Sequence, residues 1–333
     1  MQMENRIRLK ENPMGRMAKE NDLHQVALSL ASRFPGRVLL EEPMKNYTTY
    51  RVGGPAAAIC FPENHQELQE ILRYCRIHKM PIFLLGSGSN ILVHDKGLRM
   101  VVLQLRRCCS QLTHTDEIVN VGAGVLVSEL VNYCEQQQLA GLDFMAGIPG
   151  TVGGALRMNA GAFVGEIGER VISIETMTYD GESVTISRDE AGFGYRRADR
   201  LQDKIILGCQ LRLMRGERQN LEKTRQHYLE QRAARQPLDY GSCGSVFKRP
   251  PGQYAGTLIE QAGCKGMRIG GAMVSPKHAN FIVNYEHATA QDIFELIRKV
   301  QHMVYQKFKV WLELEVKLVG FSDEEEKKVT QPN

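Results

Sequence analysis

Two glycine-dense stretches offer main chain rather than side chains to a ligand. Gly86-Ser87-Gly88-Ser89-Asn90 directly follows the apolar run 82–85, where successive N–H groups free of side-chain bulk can wrap a pyrophosphate. The same five residues also suit an ordinary tight turn. The second stretch, Met145-Ala146-Gly147-Ile148-Pro149-Gly150-Thr151-Val152-Gly153-Gly154-Ala155, continues to Asn159-Ala160-Gly161-Ala162. It concentrates positions where a flat or charged ligand can approach the backbone closely. Neither stretch fits G-x-G-x-x-G, since the first lacks the third glycine and the second has the wrong spacing. A Rossmann site is therefore unsupported, while nucleotide binding stays open.

A third stretch, Gly241-Ser242-Cys243-Gly244-Ser245-Val246-Phe247-Lys248-Arg249-Pro250, sets a serine in a tight loop followed by two cations. Serines in such loops commonly satisfy a turn. No His or Asp stands at a spacing that would make Ser245 a hydrolase nucleophile. His227 and His278 are isolated and read as structural or surface groups.

Strands and helices must hold these loops. Leu68, Ile71, Leu72 and Cys75 recur at i, i+3, i+4 and i+7, which predicts an amphipathic helix between Pro62 and Met80, stopped by Pro81. Residues 82–85 then predict a buried strand, and 91–93 a second strand after the glycine turn. Further strands are expected at 101–105 and 118–121, with a helix from about 127 to 139 ending at Gly141. Residues 171–179 and 182–187 flank Asp180-Gly181, a type I′ hairpin signal, and 204–214 read as another strand. The polar, helix-favouring segment 218–235 ends before Pro237 and connects to a second domain, with the boundary near Glu217.

Beyond that boundary Thr289-Ala290-Gln291-Asp292 resembles a capping box, and Ile293, Leu296, Ile297, Val300 and Val304 form a helical stripe. In 310–319, Leu312, Leu314, Val316 and Leu318 alternate with Trp311, Glu313, Glu315 and Lys317. That alternation predicts a strand carrying Glu313, Glu315 and Lys317 on one face. Residues 1–21 and the acidic tail 322–333 read as solvated, flexible ends.

Composition narrows the partners. The net charge is only +4, from 42 basic and 38 acidic residues, with no basic run dense enough to track nucleic acid. The small excess suits anionic ligands such as nucleotides. Eight cysteines form no CxxC pair and no ligand spacing with histidine, so the expectation is a reducing compartment and no metal. The first residues lack an apolar leader core, and nowhere do about 18 apolar residues run together, so a soluble cytoplasmic protein with no membrane partner is expected. Thirty-one glycines exceed the roughly 23 that an average usage of about 7% would supply. Their clustering in loops is the informative part.

The order of these segments resembles the bacterial UDP-N-acetylenolpyruvoylglucosamine reductase family. The matching stretches are Asn46-Tyr47-Thr48-Thr49-Tyr50-Arg51-Val52-Gly53-Gly54, Gly86 to Asn90, Ala146 through Ala162, Phe193-Gly194-Tyr195-Arg196, Gly244-Ser245-Val246-Phe247 and Leu312-Glu313-Leu314-Glu315-Val316-Lys317. They span about residues 40 to 320. The resemblance implies an α+β fold of the vanillyl-alcohol-oxidase (PCMH) FAD-binding type, with a second, smaller α/β substrate domain. The cofactor region would be 22–217, in two subdomains of about 22–93 and 94–217. The substrate domain would be 218–309, followed by a strand 310–321 bearing Glu315.

Carried over by position, Arg51, Gly86, Ser87, Gly88, Ser89, Asn90, Gly147, Ile148, Pro149, Gly150, Gly153, Gly154, Asn159 and Gly161 look like FAD contacts. Arg196, Ser245 and Glu315 look like the catalytic trio. The implied reaction is NADPH-dependent reduction of the enolpyruvyl group of a UDP-sugar on the way to peptidoglycan. Hydride reaches the terminal carbon from flavin N5, Arg196 and a protonated Glu315 stabilise the enolate, and Ser245 protonates it. Tyr195, Arg235, Lys248, Arg249 and Asn280 are candidate substrate contacts, and a monomer or weak homodimer is expected. The spacing from Arg196 to Ser245 resembles the shorter subtype of the family. Ala198 stands where many members carry serine, and Gly86-Ser87-Gly88 where a triple glycine is commoner. Two rivals remain: another flavin oxidase of this fold, and a catalytically silent nucleotide-sugar binder.

Overall fold

The computed structural model describes residues 20–332, so the expected N-terminal extension lies almost wholly outside the described residues. Helix α1 (Glu20–Arg33) leads into strand β1 (Val38–Pro43), which pairs antiparallel with β2 (Pro55–Cys60). Helix α2 (His65–Ile77) buries Leu68, Ile71, Leu72 and Cys75 as their spacing required, and the Asn64 side chain caps it by accepting the Glu67 N–H at 2.9 Å. Strands β3 (Ile82–Leu85), β4 (Ile91–Val93) and β5 (Leu98–Gln104) follow.

The first sheet runs β1-β2-β5-β3, with β5 parallel to both β2 and β3. Its period of two gives it two cores. Val101 and Leu103 face the side covered by α1 and α2, whereas Met100 and Val102 pack with Met44, Phe83, Val93 and Val319.

The second sheet is antiparallel throughout. Strands β6 (Leu112–Thr115) and β7 (Ile118–Gly122) join Ile205–Arg212, Val171–Met177 and Ser183–Ser187 in the order 183–187, 171–177, 205–212, β7, β6. Helices α3 (Val127–Gln136) and α4 (Val152–Arg157) pack on it and share its core. The hairpin at Asp180-Gly181 forms, but not with the expected type I′ turn. Met177 pairs with Ser183, so the loop spans 178–182, and of Asp180 and Gly181 only Gly181 takes a positive φ, 91°. The longer loop reaches α2, where Gln69 Nε2 donates to the Gly181 carbonyl and Arg76 pairs with Asp180.

Helix α5 (Arg218–Arg235) is followed by α6 (Ala255–Gln261), a small antiparallel sheet and α7 (Ala290–Phe308). The capping box and the apolar stripe of α7 are both present. Asp95, from the loop after β4, completes the start of α7 by accepting the Ala290 and Gln291 N–H groups at 2.9 and 3.0 Å. Residues 310–316 correct one expectation. Only Lys317–Val319 enters a ladder, parallel to β4, and Leu314 makes a single bridge to Phe247. The alternation still holds, since Leu312, Leu314 and Val316 are buried while Glu313 is exposed.

The tail is largely exposed, as expected, but it is folded. Ser322 and Glu325 form a capping box for α8 (Asp323–Thr330), and Val329 is buried. The Val329 carbonyl accepts Gln301 Nε2 at 2.8 Å and Trp311 Nε1 at 3.3 Å, so buried polar donors recruited an otherwise polar segment. No described helix is long and apolar enough to cross a membrane. Among the described residues no group of three or more His, Cys, Asp or Glu could hold a metal ion.

Candidate functional site

The turn Gly86–Asn90 joins β3 to β4 and touches three other segments. A Cβ on Gly88, whose φ is +63°, would lie 2.0 Å from the Tyr47 carbonyl oxygen, so only glycine allows this approach. The Gly88 carbonyl accepts the Thr49 N–H at 3.1 Å, which brings the turn holding Arg51 alongside. Ser89 Oγ donates to the Pro149 carbonyl at 3.0 Å. Asn90 Nδ2 donates to the Glu315 carbonyl at 3.2 Å, and the Asn90 carbonyl accepts the Lys317 N–H at 3.0 Å. The two glycine stretches and the Glu315 segment thus meet at one place.

The 147–154 loop is held from below. Gly150 accepts the Val127 N–H at 3.0 Å, Val152 donates to Val125 at 2.9 Å, and Gly153 donates to Ala123 at 2.9 Å. Thr151 Oγ1 caps α4 through the Gly154 N–H. Asn159 is buried and spends both ends of its amide on the protein: Oδ1 accepts the Gly168 N–H, and Nδ2 donates to Glu166 and to the Gly194 carbonyl. It braces the loop rather than facing outward. Segments 86–90 and 147–150, joined through Ser89 and Pro149, carry four glycines among nine residues, and such accessible main chain fits a flat cofactor bearing a diphosphate.

Arg196 sits at the tip of the hairpin formed by Phe193–Gly194 and Arg197–Ala198, with φ at 56°. Arg51 and Asn159 also hold positive φ, 58° and 42°, a left-handed state uncommon for residues other than glycine. Arg196 Nε donates to Glu315 Oε1 at 2.9 Å, and a terminal nitrogen donates to the Gly161 carbonyl at 3.1 Å. The guanidinium lies 5.2 Å from the Tyr195 ring centroid.

Ser245 is half-buried, and its neighbour Val246 accepts the Glu315 N–H at 2.8 Å, so the serine loop and the Glu315 segment run side by side. Asn280 fixes that loop by accepting the Phe247 N–H at 3.0 Å and donating to the Phe247 carbonyl at 2.9 Å. Its amide is engaged by the protein, which points to a positioning role instead of the expected open contact. Lys248 Nζ pairs with Glu313 at 2.6 Å, and the Tyr195 hydroxyl accepts the Arg249 N–H at 3.3 Å. Arg235 and Arg249 are exposed, the latter over the Tyr254 ring.

The Glu315 side chain is only 16% exposed. Burial pushes its carboxyl above the usual range, outweighing the pull of Arg196, Lys248 and Lys317. Lys317 is lowered, first by burial and then by Lys248. A carboxyl biased toward its neutral form beside a fixed guanidinium can stabilise negative charge developing on a substrate by charge and by hydrogen bonding.

One buried cation escaped the sequence reading. Arg232 on α5 is 9% exposed, donates through Nε to the Ala146 carbonyl at 2.7 Å and packs its stem against Gly147. Helix α5 is polar nearly all round, so no hydropathy signal distinguished this residue from its solvated neighbours.

Residues 56–187 match the family model of the FAD binding domain, and residues 236–319 match that of the UDP-N-acetylenolpyruvoylglucosamine reductase C-terminal domain. The UDP-N-acetylenolpyruvoylglucosamine reductase of Alkaliphilus oremlandii is 41% identical over 85% of this chain and 93% of its own length. This chain belongs to the UDP-N-acetylenolpyruvoylglucosamine reductase family. The reductase of Levilactobacillus brevis is likewise 41% identical, over 87% of this chain and 96% of its own. The crystal structure of the reductase from Thermus caldophilus superposes with a TM-score of 0.72 at 36% identity, covering 85% of this chain and 98% of that one. The protein is thus an enzyme of the oxidoreductase class, with the α+β FAD-binding fold expected for this reductase family.

Proposed function

We propose that the protein reduces the enolpyruvyl group of UDP-N-acetylenolpyruvoylglucosamine to the lactyl ether of UDP-N-acetylmuramate, with NADPH as reductant, as a cytoplasmic step of peptidoglycan precursor synthesis. The single observation that carries the reading is the Arg196–Glu315 pair, 2.9 Å apart beside the Ser245 loop and tied through Asn90 to the glycine turn. FAD held between Gly86–Asn90 and Gly147–Gly150, with Arg51 alongside, would accept a hydride from NADPH and supply it to the terminal carbon of the enolpyruvyl group.

Hydride addition leaves negative charge next to a carboxylate that already carries one, so the barrier is electrostatic. Arg196, fixed by the Gly161 carbonyl and the Tyr195 ring, offers its charge without reorganising. Glu315 in its protonated form adds a hydrogen-bond donor where a second anion would repel. Ser245 delivers the proton; a hydroxyl is a weak acid, but the carbanion is a far stronger base. Asn280 holds the Ser245 loop, and Lys248, Arg249, Tyr195 and Arg235 meet the diphosphate and uridine end. The division near Glu217 into cofactor region and substrate domain belongs to the same reading. It is supported by a separate apolar core running from Cys243 to Val329, which Tyr50, Val52 and Leu92 join from the first part.

Stopped-flow absorbance of the Ser245→Ala variant tests the assignment. Bleaching of the flavin by NADPH should keep its wild-type rate, while reoxidation by the enolpyruvyl substrate should slow on the order of 10²–10⁴-fold. A wild-type rate of reoxidation would overturn the role given to Ser245.

A further inference from the structure

The turn that links the two sheets carries adjacent cysteines that the proposed chemistry does not use. Cys108 and Cys109 follow β5, and their sulfurs lie 3.7 Å apart. Cys108 is partly exposed, whereas Cys109 is fully buried with its sulfur 3.7 Å from His65 Nε2. The hydrogen bond with Cys109 holds the Cys108 thiol below its ordinary value, and the same bond together with burial pushes Cys109 up. The remaining cysteines are buried. Burial raises the thiols of Cys60, Cys134 and Cys243 to about 12, which makes them poor nucleophiles.

The same turn supports the glycine loop of the site. The Cys109 carbonyl accepts the Gly124 N–H at 2.8 Å, and a Cβ on Gly122 would lie 2.2 Å from that oxygen. One residue along, Ala123 accepts the Gly153 N–H at 2.9 Å, and Val125 accepts that of Val152 at 2.9 Å. The cysteine turn, the 122–125 turn and the 150–154 segment are therefore stacked by successive main-chain hydrogen bonds.

We propose that Cys108 and Cys109 are a thiol modification site, a vicinal dithiol that hydrogen peroxide closes to a disulfide, and that closure loosens the 150–154 segment. The Cys108 thiolate attacks one peroxide oxygen, breaking the O–O bond and giving Cys108 sulfenic acid and hydroxide. The Cys109 sulfur then attacks the Cys108 sulfur and expels that second oxygen as hydroxide. The protons of the two thiols convert both hydroxides to water, so two thiols are oxidised as one peroxide is reduced. The sulfurs must close from 3.7 Å to about 2.0 Å within a small ring that contains the peptide bond between them. Twisting that peptide turns its Cys109 N–H away from the Leu105 carbonyl, which it meets at 3.0 Å, and the resulting rotation of Cys109 shifts its own carbonyl from Gly124 and disturbs the stack beneath Gly153. The coupling to the cofactor rests on the reading that this loop holds FAD; the dithiol chemistry does not.

FAD-loaded protein treated with hydrogen peroxide tests both halves. Thiol titration should show the loss of two of the eight thiols. The peptide bearing Cys108 and Cys109 should lose two hydrogens in mass, restored by dithiothreitol. In Cys109→Ser, dimedone should trap a sulfenic acid on Cys108, whereas Cys108→Ser should give neither cross-link nor adduct. A wild-type peptide that gains oxygen instead, or thiol loss confined to other cysteines, overturns the site. FAD titration, first shown to saturate on reduced protein, should weaken about tenfold on oxidation, the size expected for losing one or two hydrogen bonds. Unchanged affinity in fully cross-linked protein overturns the coupling and leaves FAD binding itself established.

Discussion

Glu315 shows how one side chain links stability to chemistry. Its carboxyl is raised by burial, so the folded protein holds this proton more tightly than the unfolded chain does. Its contribution to stability is therefore greatest at low pH and falls as pH rises through and above the ordinary carboxylate range. Glu315→Gln, fixed in the neutral form, should lack that decline. Urea denaturation between about pH 4 and 8 should show the variant gaining on the wild type as pH rises; parallel curves would refute the neutral bias. Arg196→Gln removes the fixed charge, and substrate-driven reoxidation should slow on the order of 10²–10³-fold with NADPH bleaching retained. The resemblance singled out Arg196, Ser245 and Glu315 as candidates. Their convergence could not be read from spacing, because Arg196 and Glu315 are 119 residues apart in the chain.

Among the elements, α7 binds the two halves of the molecule. Thr289 satisfies the Asp292 N–H from within the helix, but the Ala290 and Gln291 N–H groups are satisfied by Asp95, about 195 residues earlier. Asp95→Ala leaves two orphan donors and removes a negative charge from the positive end of the helix, costing about 1 kcal/mol. A lowered urea midpoint with an unchanged m-value would bear this out, and an unchanged midpoint would show that water replaces the carboxylate. The capping box was legible because it is local, four residues reading one another's hydrogen bonds. The contribution of Asp95 was not, since nothing in its neighbourhood marks it as a cap for a distant helix.

At the scale of the whole molecule the tail closes the second core. Helix α8 supplies Val329, whose side chain is 2% exposed and whose carbonyl takes donors from Gln301 and Trp311. His94 contacts Glu325 at 3.5 Å and packs edge-on against Phe321, joining the first part of the chain to the last. Ending the chain after Phe321 exposes apolar surface and leaves buried donors short of an acceptor, a loss of about 2–3 kcal/mol. The truncated protein should show a clearly lower urea midpoint; full stability would mean that α8 is dispensable.

What the sequence determined by itself was local order. The stripes of α2 and α7, the glycine turns and the alternation from Leu312 to Leu318 follow from periodicities of 3.6 and 2, which need no knowledge of partners. The tertiary structure decided which of these local units meet: Asn90 with Glu315, Arg232 with Ala146, Asp95 with α7, and α8 with Gln301. Segment 310–316 shows the division plainly, because its alternation was visible along the chain while its pairing, a single bridge from Leu314 to Phe247, was not. Burial and unsatisfied polar groups act between segments far apart in the chain, so a pattern read along the chain describes the faces but not what covers them.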